Sequence, residues 1–146
     1  MRTHNVSCGA KVILALVLSA IPLSAHHAFT AEYDGSNCAT LTGKLTKVDW
    51  ENPHAYFYVD GKETGGSVAS WAFETVSIGW LKRVGTSRHD FEDNIGKNVT
   101  VRACMAKNGV KNRGAAETVK LEDGRTLTVG TDYERPGKGG EERNIN

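Results

Sequence analysis

The sequence predicts an all-β domain, β-rich with one short helix and built as an OB-like five-stranded small barrel, and three observations carry that prediction. Five segments alternate apolar and polar residues with period two, a helix-spaced segment separates the third from the fourth, and a cysteine stands at an outer end of the first and of the fourth. Three strands, a helix and two strands is the order of an OB barrel, whose first strand pairs with the second and, antiparallel, with the fourth. An open sheet or a small sandwich would use the same strands.

The first strand opens at Cys38 and carries Leu41, Leu45 and Val48 in "CATLTGKLTKVDW". Asn52-Pro53 makes a turn, and "HAYFYVD" alternates Ala55, Phe57 and Val59 with Tyr56, Tyr58 and Asp60. After the turn residues of "GKETGG", the stretch "VASWAFET" places Trp71 and Phe73 on one face and Ser70, Ala72 and Glu74 on the other. "SIGWLKRVG" breaks the alternation: Ser77 is a helix cap, Trp80, Leu81 and Val84 follow helical spacing, and Gly85 is the stop. "TSRHDFEDN" reads as a polar loop in which His89 is solvated. "VTVRACMAK" then resumes the alternation, and "GAAETVKL", the turn "EDGR" and "TLTVG" close with a hairpin.

Residues 1–25 have the layout of a signal peptide: Arg2 and Lys11 at the start, an apolar run from Val12 to Leu23, and small residues Ser24-Ala25 at the end. Ser19 and Pro22 interrupt the run, so no membrane span is expected in the mature form. Cleavage after Ala25 fits better than after Ala20 or Ala31, and it leaves His26 as the first of 121 residues. That length suits one domain, with an N-terminal segment at 26–37, the barrel at 38–130 and a disordered tail at 131–146 that has almost nothing to bury. The localisation this implies is periplasmic or secreted.

Without Arg2 and Lys11, 16 of the 18 basic residues face 17 acidic ones, a formal charge of −1. Nothing in that balance favours the broad basic surface that nucleic acid demands, and no nucleic-acid partner is expected. Two cysteines remain in an exported chain, where a pair is a disulfide more often than a metal site. Antiparallel pairing of the first and fourth strands brings Cys38 and Cys104 together, both pointing outward, and a bridge closing so long a loop stabilises by about 4 kcal/mol. The alternative, two thiols as soft metal ligands, lacks CxxC spacing.

Cleavage after Ala25 gives His26 a free α-amine beside its imidazole, and the two can chelate one ion. A reference amine pKa of about 7.7 to 8 lets a metal displace the proton near neutrality. Such nitrogen donors suit copper(II), and zinc less well. His54 is the candidate partner, because the first-to-second strand junction borders the usual ligand surface of an OB barrel. His27 is a weaker ligand, since adjacent side chains of an extended segment point to opposite sides. Glu74, on the non-core face, is either a ligand or acceptor or simply a solvated carboxylate.

Tyr56 and Tyr58 are candidate stacking residues for a sugar, or ordinary cross-strand pairs. If they bind, the chain is a cell-envelope module with a protein or glycan partner rather than a metal carrier. No GxSxG, helix-spaced carboxylate dyad or phosphate loop marks an enzyme. "NVT" at 98–100 matches a glycosylation acceptor pattern that is common by chance.

"HHAF" after the leader, "LTGKLTKVDWENPHAYFYVD", "WAFE" followed by Leu81-Arg83, "AKNG" and "LEDGR" resemble, in that order, the small exported bacterial proteins of the DUF6152 family. The resemblance covers nearly all of the mature chain and implies no activity. The chain departs from the pattern at Gly85-Thr86, where similar proteins carry Gly-Trp, and in its two cysteines.

Overall fold

The computed structural model describes residues 31–62, 66–130 and 143–144. Seven strands and two helices are formed among them: β1 (Tyr33–Asp49), β2 (His54–Lys62), β3 (Val68–Ser77), α1 (Ile78–Arg83), α2 (Arg88–Glu92), β4 (Asn98–Ala106), β5 (Arg113–Lys120), β6 (Thr126–Thr128) and β7 (Arg143–Asn144).

Five of the strands close a ring, each hydrogen-bonded to the next in the order β1-β2-β3-β5-β4 and back to β1. All of these pairings are antiparallel except β3 with β5, which is parallel. This is the five-stranded, OB-like arrangement the sequence predicts. Closure leaves β1 hydrogen-bonded on both sides: its first half to β4, from Tyr33 to Lys44, and its second half to β2, from Gly43 to Asp49. Gly43 belongs to both ladders, opposite Gly61 and Val99.

The alternating apolar residues line the interior, because period two puts one face of every strand inward. Leu41, Leu45, Phe57, Val59, Phe73, Val101 and Val119 are fully buried there. Helix α1 adds Ile78 and Leu81. Ser77 caps it by accepting from the Trp80 amide, and Gly85 follows with a φ of 81°. Both fit the start and stop read from "SIGWLKRVG".

Four features differ from the reading of the sequence. β1 starts at Tyr33 rather than Cys38, so part of the expected N-terminal segment is strand. "TSRHDFEDN" forms the second helix, because Asp90 accepts from the Ser87 amide and hydroxyl and Phe91 inserts into the core. Phe91 packs against Phe57 and Trp50, with ring centroids 5.1 and 6.0 Å apart. His89 lies on this helix with an exposed side chain, not in a loop. Within the expected tail, Arg143–Asn144 pairs in parallel with Ala39–Thr40 on the edge of β1 that β2 does not cover.

Cys38 and Cys104 are direct partners in the β1–β4 ladder and form the disulfide. Both lie outside the apolar core cluster, but Cys104 is fully buried rather than exposed on the outer face. Among the described residues no helix is long and apolar enough to cross a membrane. The segment 1–25 expected to be a leader, His26 and His27 lie outside the described residues.

Candidate functional site

The outer face of the ring carries a polar cluster around Glu74. The register puts Glu74 of β3 opposite Tyr56 of β2 on one side and Ala115 of β5 on the other. His54 begins β2 just after the Asn52–Pro53 peptide, which is cis. Between His54↔Ser77 and Tyr56↔Glu74 the β2–β3 register shifts, so two residues of β3, Thr75 and Val76, stand opposite Ala55 alone. Thr75 steadies this bulge by donating to the Ala55 carbonyl, and the bulge leaves His54, Tyr56 and Glu74 on one face.

Glu74 is buried, and its two oxygens are divided between different partners. Oε1 lies 2.6 Å from His54 Nδ1. Oε2 accepts from the Tyr33 hydroxyl at 2.6 Å and from Arg113 Nη2 at 3.2 Å. Arg113 also donates through Nε to the Tyr33 oxygen and through Nη2 to Glu32, and its guanidinium lies over the Tyr33 ring. A buried charge is tolerated on these terms, with paired and hydrogen-bonded oxygens.

The electrostatics follow from this packing. Burial pushes the Glu74 carboxyl up, but hydrogen bonds from Tyr33, Tyr56, His54 and Arg113 together outweigh it and hold the group below its ordinary range. The Tyr33 phenol is driven far above its usual value by burial, then by its hydrogen bond to Glu74 and then by the Glu74 charge. The same causes, in the same order, push Tyr56 up to about 12. Glu74 is therefore a carboxylate, and both phenols stay neutral donors, near neutral pH.

A carboxylate against Nδ1 holds that nitrogen protonated and leaves Nε2 with its lone pair free for a ligand. Among the described residues nothing bonds His54 Nε2, and the side chain is 36% exposed. The arrangement can hold an imidazole in one tautomer and orientation, which suits a metal ligand or a proton acceptor.

Of the residues singled out from the sequence, the structure brings together His54, Glu74 and Tyr56. Glu74 is not the solvated carboxylate of the plainer reading. Tyr58 is engaged elsewhere: Lys47 lies over its ring, 5.1 Å from the centroid, and Lys47 also pairs with Asp49. Sequence reasoning missed Tyr33 and Arg113. Tyr33 precedes the recognisable alternation of β1, and Arg113 follows the turn residues of "KNGVKN", so neither stood in a pattern.

A family model described as a family of unknown function (DUF6152) matches residues 14–116. No curated protein and no solved structure matches the chain.

Proposed function

The chain belongs to DUF6152, a family of unknown function, and we propose that it is an exported binding protein for a divalent d-block ion, copper(II) in the first place. The observation that carries this reading is the 2.6 Å contact of His54 Nδ1 with a buried carboxylate, which leaves Nε2 open. Metal-binding imidazoles usually donate their second ring N–H to such a carboxylate, which fixes the tautomer and raises the basicity of the ligating nitrogen. Both Glu74 oxygens are already engaged, so Glu74 acts as the orienter of His54 rather than as a ligand.

The α-amine and imidazole of His26 are the remaining donors of the proposal. His26 stands seven residues before Tyr33, whose hydroxyl is bonded to Glu74. Seven residues reach at most about 24 Å, ample to return to a strand so close by. Export is supported by the leader pattern at 1–25 and by the disulfide, which is compatible with an oxidising compartment.

The test is a copper(II) titration of protein beginning at His26, of the same protein with one extra N-terminal residue, and of His54→Ala. The first binds one equivalent, and each of the others binds at least tenfold more weakly. Equal affinity in all three, or no binding by the first, overturns the reading. Glu74→Gln, which keeps the size but loses the charge, weakens binding by about 10- to 100-fold, the range for groups that orient a ligand.

A further inference from the structure

We propose a second metal site that exists only in the dithiol form of the chain, with Cys38, Cys104 and Glu117 as ligands to a zinc-like ion. It does not depend on the site at His54. The ligand atoms of these three residues all lie within 4.8 Å of one another.

Glu117 is where the structure shows something unspent. The β4–β5 register runs from Arg102↔Thr118 directly to Ala103↔Ala116, so Glu117 is the extra residue of a bulge. Bulges re-aim side chains, and this one sends a carboxylate to the disulfide. Glu117 is only 3% exposed. Its Oε2 accepts from Arg102 Nε at 2.7 Å. Its Oε1 lies 3.6 Å from Cys104 Sγ, which carries no hydrogen while bridged to Cys38. Among the described residues Oε1 therefore meets no hydrogen-bond donor, an uncommon state for a buried carboxylate oxygen.

Reduction changes what that oxygen faces. A dithiol reductant passes two electrons and two protons to the bridge and is itself oxidised to a disulfide; the bridge becomes two thiols. When an ion binds, both thiols release their protons to solvent and ligate as thiolates. A tetrahedral ion with a sulfur at about 2.3 Å and a carboxylate oxygen at about 2.1 Å sets those two ligands about 3.6 Å apart. Cys104 and Glu117 already stand at that separation.

The charges also match. Two thiolates, one carboxylate and the Arg102 guanidinium are neutralised by a divalent ion, so the site can be buried without excess charge. Arg102 holds Oε2 and leaves Oε1 for the ion, and water takes the fourth position. Thiolate ligands select zinc-like or softer ions over magnesium or calcium. Disulfide and ion exclude each other, because both need the same sulfur atoms.

The experiment uses His54→Ala protein carrying one extra N-terminal residue, which removes the His54 imidazole and the His26 amine chelate of the other site, in oxidised form and in form reduced under anaerobic, metal-free conditions with the reductant then removed. Zinc(II) is titrated against a chromophoric chelator, and cadmium(II) replaces it to report thiolate ligation by charge-transfer absorbance. Reduced protein binds one equivalent, oxidised protein binds at least a hundredfold more weakly, and Glu117→Gln in the reduced form loses tenfold or more. If the reduced chain loses its β circular dichroism without metal, zinc restores it in the parent and not in Cys38→Ser. Equal zinc affinity of the oxidised and reduced forms, indifference to Glu117→Gln, the absence of a cadmium–thiolate band, or failure of zinc to restore a lost fold overturns the site.

Discussion

At the scale of single residues, Glu74 carries the strongest consequence. Its folded pKa is depressed, so its share of stability is fully present above the ordinary carboxylate range and is lost as pH falls through the lower folded value. Urea unfolding between pH 3 and 7 therefore shows the parent losing stability on the acid side. Glu74→Gln is less stable by about 2 kcal/mol near neutrality, because Arg113 and His54 lose a charged acceptor. Its stability varies less through the acid range, and the Tyr56 phenol, pushed up to about 12 in part by the Glu74 charge, titrates lower in the variant. An unchanged acid profile would remove Glu74 from this role. The sequence showed Glu74 to be on the outer face, since alternation with Phe73 decides that. Its burial was not legible, because Tyr33 and Arg113 cover it from residues separated from it by 41 and 39 positions.

At the scale of elements, β1 is shared between two neighbours, and Gly43 stands at the handover. A Cβ at Gly43 would lie 2.3 Å from the Asp60 carbonyl oxygen, which is backbone and cannot step aside. A Cβ at Gly61 would meet side-chain rather than backbone atoms first, Leu41 Cδ1 at 2.7 Å and Cγ at 3.0 Å. Gly43→Ala accordingly costs about 3 kcal/mol, the upper end for overpacking, whereas Gly61→Ala costs about 1 kcal/mol as Leu41 adjusts. Denaturant midpoints of the two variants check the ranking, and equal losses would contradict it. The strands were legible from period two because each buries one face. Helix α2 was not, since five residues with a single buried apolar side chain, Phe91, leave no periodicity to read.

At the scale of the whole molecule, ring closure depends on contacts distant in sequence, and the disulfide ties two of its strands across 66 residues. Restricting the unfolded chain over such a loop is worth about 4 kcal/mol, a large share of the about 5–15 kcal/mol of a typical domain. The double variant Cys38→Ala, Cys104→Ala keeps the β circular dichroism of the parent, and its unfolding free energy extrapolated to zero urea falls by about 4 kcal/mol, with a correspondingly lower urea midpoint. An unchanged midpoint would mean that the bridge adds nothing to the ring.

What the sequence determined by itself is local or one-dimensional: which residues face inward, where α1 starts and stops, and that Cys38 and Cys104 stand at matching ends of two strands. These follow from period two, from capping chemistry and from antiparallel geometry, none of which needs a distant residue. The tertiary structure alone decided that Glu74 is a buried carboxylate gripping His54, and that Glu117 is turned toward the cysteines. Both outcomes depend on bulges and on side chains arriving from other strands, and a one-residue shift of register is invisible in composition yet reverses the face a side chain takes.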